Sequence, residues 1–169
     1  TRGRPLGPLM HSFLVDHLIT VKGLRPASVR SYRDTIRLLL CYLAEQNHKK
    51  ISKLSVEDLT FARVLGFLRY LDEERHNQVR TRNQRLAAIR AFARFVGSRD
   101  PAQVEWCGHI RAIPPKKAVP QPVGWLTKAE RDAMLKAPDR KTPRGQSEYA
   151  LLLFLYNTGA RVSEAVYLK

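Results

Sequence analysis

Near the C-terminal end of the sequence, Thr158-Gly-Ala-Arg-Val-Ser-Glu-Ala165 sets an arginine three residues before a glutamate, directly after an apolar run. The run (Tyr149, Leu152, Leu153, Tyr156) has helical spacing, and Gly159 suits the left-handed position that ends a helix. A second helix restarting at once would present Arg161 beside its own free N–H groups. A guanidinium and unpaired amides converging on one point hold a phosphate or a developing oxyanion. The same spacing also lets Arg161 pair with Glu164 one turn on and do no more than close a helical hairpin. Spacing alone leaves both readings open.

Two upstream helices carry the other residues whose pattern can do chemistry. Pro26 suits a first helical position. After it Val29, Tyr32, Ile36, Leu39, Leu40 and Leu43 fall on one face, while Arg30, Arg33 and Arg37 line the flank with only Asp34 nearby. From about Val79 to Val96, Leu86, Ile89, Phe92 and Val96 make a core stripe; Arg80, Asn83, Ala87, Arg90 and Arg94 make the opposite one. No acidic side chain occurs from Gln78 to Arg99. Guanidiniums bind phosphate or guanine, an amide reads adenine, and a small residue permits close approach. A merely solvated face normally mixes both signs.

Composition agrees with a polyanionic partner. Thirty Lys and Arg against fifteen Asp and Glu give a net charge of +15. No apolar run approaches the roughly 20 residues of a membrane span, and the helices lack the broad Trp/Phe/Leu face of an interfacial binder. Nothing at the N-terminus resembles an export signal. Two cysteines, Cys41 and Cys107, make no disulfide framework and point to a reducing cytoplasm. No metal or nucleotide cofactor is expected. His11 and His17 stand alone, and there is no glycine-rich phosphate loop, Cys/His cluster or Ser-His-Asp set.

The elements that must position these residues all read as helices, so the expected fold class is all-α. Residues 1–8 read as a loose arm. Leu9 to Val21 places Leu9, Phe13, Leu14, His17, Leu18 and Val21 on one helical face. Ser55 with Asp58 predicts a capping box for a third helix burying Leu59, Val64, Leu65, Leu68 and Leu71; its acidic end, Asp72-Glu73-Glu74, turns it away from a polyanion. Asp100-Pro101 starts a short helix with Val104 and Trp106. Residues 113–124, with four prolines, Lys116 and Lys117, read as a semi-extended linker whose lysines can track a phosphate backbone. Thr127 and Glu130 cap a further helix. The domains are then 9–112 and 125–169.

Asn83-Gln-Arg-Leu-Ala-Ala-Ile-Arg-Ala-Phe-Ala-Arg-Phe95 resembles the fourth helix of the core-binding domain of tyrosine recombinases, the phage integrase and Xer class. The Pro26–Leu43 helix, the Pro-Lys linker, Trp125-Leu-Thr-Lys-Ala-Glu130 and the Thr158–Ala165 box match the same family in order. The resemblance implies a SAM-like domain of four or five helices on one face of duplex DNA. A linker would lead to the start of a mixed α/β catalytic domain. It further implies cleavage by a tyrosine hydroxyl through a 3′-phosphotyrosyl link, with no cofactor, and a parent enzyme that is tetrameric on paired DNA sites. Arg161 would hold the scissile phosphate and Glu164 would orient it. The family's remaining catalytic residues lie beyond this box, so the chain is expected to be a fragment that binds DNA, as a monomer off it, without cutting. Tyr156 and Tyr167 are expected to pack. The alternatives are a non-enzymatic helical DNA-binding regulator or nucleoid protein and, more weakly, an RNA-binding helical protein. Against the last stands the lack of interleaved aromatics for base stacking.

Overall fold

The computed structural model describes residues 4–119 and 124–167. Residues 1–3 of the expected arm, 120–123 of the expected linker, and 168–169 lie outside the described residues. The chain divides into two units, Thr1–Val119 and Pro120–Lys169. Apart from one isolated antiparallel bridge between Pro5 and Ser55, the described residues are helices, turns and loops. The all-α expectation holds.

The first unit contains α1 (Leu6–Ser12), α2 (Pro26–Asn47), α3 (Phe61–Glu73), α4 (Val79–Arg99) and α5 (Val104–Ala112). Its core joins Phe13, Leu39, Leu43, Phe67, Leu71, Phe92 and Val96, among others. The second unit contains α6 (Lys128–Lys136), α7 (Pro143–Thr158) and the short α8 (Val162–Ala165).

Residues 4–8 are not an arm. The Leu6 N–H donates to the Leu54 carbonyl, the Val56 N–H donates to the Arg4 carbonyl, and the Leu6 side chain is fully buried. Arg4 also reaches Asp100 at 3.1 Å. A buried apolar side chain and two backbone hydrogen bonds tie this segment down. After α1 the helix widens into a π-helical stretch, Phe13–Val21. A π turn brings i and i+5 onto one face. Phe13 and Leu18, five apart, are therefore both fully buried, while Val21, expected on the core face, is 70% exposed.

The Ser55–Asp58 capping box forms, yet it closes only a 3₁₀ turn, Val56–Asp58. Helix α3 starts later, where the Thr60 hydroxyl accepts from the Arg63 N–H. Its buried set is Val64, Phe67, Leu68 and Leu71; Leu65 is exposed, and Leu59 is buried ahead of the helix. Asp100 caps the turn that leads into α5, as its sequence suggests.

Helix α4 packs against α2, α3 and α5, most extensively against α5. Gly97 is required there. A Cβ on it would lie 2.9 Å from both Cβ and Sγ of Cys107, inside normal contact distance. Gly97→Ala should destabilise the first unit by about 1–3 kcal/mol without changing the slope of urea unfolding, as read by tryptophan fluorescence.

His17 stacks against Phe13 and Phe95, with ring centroids 5.9 and 5.1 Å away. Burial first, then the charges of Lys22 and Arg99, hold its pKa below the ordinary 6.5. The folded chain therefore binds fewer protons at this site than the unfolded chain. The stabilisation is complete above the ordinary value and declines as pH falls below it. His17→Phe keeps the ring and removes the titration. Its unfolding midpoint relative to the parent chain should be higher at pH 5.5 than at pH 7.5, and an equal difference at both would exclude the effect.

Candidate nucleic-acid interface

One basic residue of each helix, Arg30 of α2 and Arg85 of α4, reaches a shared surface because the two helices pack side by side. Gln84 of α4 donates to the Ser31 hydroxyl of α2 at 2.8 Å. Around this bond an open groove is lined by Ala27, Arg30, Ser31, Asp34, Thr81, Gln84 and Arg85, with Thr35 beneath. Along α2, Arg30, Arg33 and Arg37 are exposed. Arg33 approaches Asp34 at 3.8 Å, an exposed pair of little energetic weight.

Burial on its α2, α3 and α5 sides leaves α4 only a strip of free surface. Arg80, Ala87 and Arg94 lie exposed on it, as expected, and Arg90 is half-buried. Among the described residues Arg30, Arg37, Arg80, Arg90 and Arg94 stand in no salt bridge. Guanidiniums left this way retain their donors for an anion.

Asn83 departs from the expectation. It was expected to face a base edge; instead its carboxamide clamps the linker backbone. Nδ2 donates to the Lys116 carbonyl at 2.7 Å, and Oδ1 accepts from the Lys116 N–H at 2.9 Å. Lys116, expected on a phosphate backbone, donates through Nζ to Asp72 at 2.7 Å. Buried Arg82 completes the cluster, with Nε 3.4 Å from Asp72 and a hydrogen bond from its Nη1 to Asn83 Oδ1 at 3.3 Å. Lys117 is exposed. The first part of the linker, residues 113–119, accordingly belongs to the first unit, with Ile113 buried.

Arg85 was missed. The wheel puts it on the flank of the core stripe, where an arginine reads as a snorkelling side chain. In the structure it lines the groove with Arg30. Burial first and then neighbouring Arg75 push its pKa below the usual arginine value, against the opposing pull of Asp34 and Tyr70. A guanidinium stays charged at any working pH. The direction therefore marks a guanidinium partly withdrawn from solvent beside a second positive charge. The absence of acids along the whole of α4 was the available signal.

In the second unit, the Thr127–Glu130 capping box forms on α6. Helix α7 is capped by Thr142 and ends at Gly159, whose φ of +64° is left-handed. Arg161 is then the extended residue before α8. Its N–H donates to Glu164 Oε2 at 2.9 Å and its Nη1 to Oε1 at 3.2 Å. The reciprocal half of a capping box is missing, since a guanidinium offers no acceptor. The Arg161 side chain is still 82% exposed. One carboxylate thus both closes the turn and pairs with the guanidinium, the contact that the spacing allows. Tyr156 supports Arg131, whose Nη1 donates to its hydroxyl at 3.0 Å. Tyr167, expected to pack, is exposed.

Comparison with known proteins places this arrangement. Residues 12–100 match the family described as "Phage integrase, N-terminal SAM-like domain". The chain is 43% identical over 160 residues to the "Putative integrase/recombinase y4rD" of Sinorhizobium fredii, covering 95% of this chain and 57% of that protein. It is 30% identical over 150 residues to the tyrosine recombinase XerC of Oceanobacillus iheyensis, covering 89% and 46%. With the tyrosine recombinase XerD of Vibrio cholerae it shares 28% over 163 residues, covering 94% and 49%. No solved structure matches. The chain spans about half the length of the curated relatives it matches. The matched residues run from the end of α1 through α4, so both arginine stripes lie inside the family's own domain: the chain belongs to the phage integrase (tyrosine recombinase) family.

Proposed function

We propose that the chain is the DNA-binding half, together with the first catalytic residues, of a site-specific tyrosine recombinase. The observation that carries this reading is the groove between α2 and α4. There Arg30 and Arg85 line one concavity, with Asp34 the single acid among the described residues of the lining, while Arg37, Arg80 and Arg94 are exposed elsewhere on the same two helices. That surface fits the sugar-phosphate backbone of duplex DNA, which it would grip mainly by charge. On this reading Arg33, Ala87 and Arg90 also face DNA, with Lys117 of the linker as a further phosphate ligand.

In the parent enzyme, Arg161 stabilises the negative charge that develops on the scissile phosphate, and Glu164 holds the guanidinium in place. The nucleophile is a tyrosine beyond the matched region, attacking to leave a 3′-phosphotyrosyl bond that a 5′-hydroxyl reverses. The parent assembles as a tetramer on paired sites and acts in the cytoplasm. Among the described residues no helix is long and apolar enough to cross a membrane.

A non-enzymatic DNA-binding regulator is the second reading. It is favoured by the Arg161–Glu164 contacts, which suffice to close the turn into α8 without any substrate.

Two measurements test these assignments. The double variant Arg30→Ala/Arg85→Ala should weaken duplex binding. It should also flatten the plot of log affinity against log salt by about 0.9 for each phosphate that the protein no longer neutralises. An unchanged slope and affinity in a gel-shift titration would remove the groove from the interface. In the full-length parent, Arg161→Ala should lower the rate of covalent complex formation on a nicked suicide substrate by roughly 10²–10³-fold. Its DNA affinity should stay near the parent value. Undiminished cleavage would leave Arg161 a purely structural residue and favour a regulator.

A further inference from the structure

We propose that Asn83 is a positioning residue that latches the start of the linker onto α4, so that the chain leaves the DNA-binding unit from a fixed point at Lys116. The proposal builds on the DNA-binding reading only in what the latch is for; the latch itself is a property of the first unit.

Four residues form it. The Asn83 carboxamide meets both backbone polar groups of Lys116, at 2.7 and 2.9 Å. This pairing mimics one rung of a β-ladder, with a side chain in place of a strand. It reads the backbone and not the identity of residue 116, and it fixes the peptide's orientation as well as its position. Asp72, at the end of α3, takes the Lys116 ammonium at 2.7 Å. Arg82 lies behind both, its side chain almost entirely buried, donating to Asn83 Oδ1 and facing Asp72. A buried guanidinium requires partners. Arg82 thus faces Asp72 at 3.4 Å and donates to Asn83 at 3.3 Å, which places the acceptors for the linker beside a buried positive charge.

Location gives the latch its use. Asn83 stands on α4 between Arg80 and Ala87, both on the exposed strip. The helix proposed to lie on DNA is also the helix that sets where the linker departs. Any duplex that fixes α4 thereby fixes the origin of the linker to the second unit, and the number of residues free to vary in direction shrinks to those after Lys116. For an enzyme that must bring a catalytic unit to one phosphate, a shorter free tether restricts misplaced encounters.

The test uses trypsin on the full 1–169 chain without DNA. Cleavage after Lys117 requires several residues on its N-terminal side to extend into the protease, so it reports the fraction of chains in which Lys116 has left Asn83. Cleavage at that bond, followed by mass spectrometry, should be at least about tenfold faster in Asn83→Ala and in the size-matched Asn83→Leu, since both lose the pair of hydrogen bonds. Cleavage after Arg111, inside α5, should stay at the parent rate, which separates release of the linker from loss of fold. Asn83→Asp keeps the acceptor for the Lys116 N–H and loses the donor, so its rate should fall between. Unchanged cleavage after Lys117 in both Asn83→Ala and Asn83→Leu overturns the latch. If those variants instead bind duplex more weakly with the linker still protected, the carboxamide is a DNA-binding group and the latch is likewise overturned. Failure of the DNA-binding reading shows separately, as undiminished affinity in Arg30→Ala/Arg85→Ala.

Discussion

Phe13 is the side chain on which the first unit depends. Its ring meets Phe92 edge-on at 5.5 Å and Phe95 at 5.3 Å, both on α4, and Tyr32 of α2 at 5.9 Å. One side chain thus ties the N-terminal helix to both helices that carry the arginine stripes. Such aromatic pairs add about 0.5–1.5 kcal/mol each beyond their burial. Truncating a fully buried phenylalanine typically costs about 3–5 kcal/mol, a large part of a small domain's stability. The exposed surface of α4 follows from this packing. With neighbours on three sides, α4 has just one strip to offer solvent, and α2 is held beside it at the distance a Gln84–Ser31 hydrogen bond allows.

The parts of this architecture that were legible in the sequence are those governed by local rules. Helices α2 and α4 announce themselves by their period, and α6 by its cap. Gly159 announces the end of α7, and the buried stripe Leu86, Ile89, Phe92 and Val96 was correctly placed. What escaped was set by long-range partners. The π-helical register that buries Leu18 and exposes Val21 follows from where Phe13 must dock, which no window of neighbours reveals. The docking of residues 4–6 depends on backbone groups about fifty positions away. Asn83 looked like a base reader because its helical face is basic. Its true partner, Lys116, lies in a proline-rich segment that has no periodicity to read. Arg82 and Arg85 sat in positions where an arginine suggests nothing, and only the packed structure shows one buried against Asp72 and the other lining the groove.

The second unit is built on different terms. Among its described residues Gly145 is buried, and Leu152 to Leu155 of α7 are half-buried. Its order rests on local devices. Thr142 caps the helix, Arg140 lies 4.4 Å from the Tyr149 ring centroid, and Arg131 bridges Tyr156 and Asp132. Such contacts order a helix locally. An exposed arginine at the end of one can still be well oriented, because the Glu164 carboxylate grips Arg161 by both main chain and side chain.

The distribution of acids explains how a surplus of fifteen positive charges becomes a surface feature instead of a uniform halo. Asp58 caps a turn while pairing with Lys49, Asp100 caps another while pairing with Arg4, and Asp72 faces Arg82 and Lys116. Glu130 and Glu164 close helices in the second unit. Each of these carboxylates is held by a structural duty and so cannot drift to balance an exposed arginine. Hydrogen bonds from Lys49 and Ser55 keep the Asp58 carboxyl below its usual range despite burial, which shows how firmly such an acid is engaged. The two sets of charges then respond differently to salt. Pairs that are partly buried and hydrogen-bonded are screened little, while the open stripes of α2 and α4 lose their reach as the Debye length shrinks from about 10 Å at 0.1 M. Rising salt should therefore release a polyanion well before it loosens the domain.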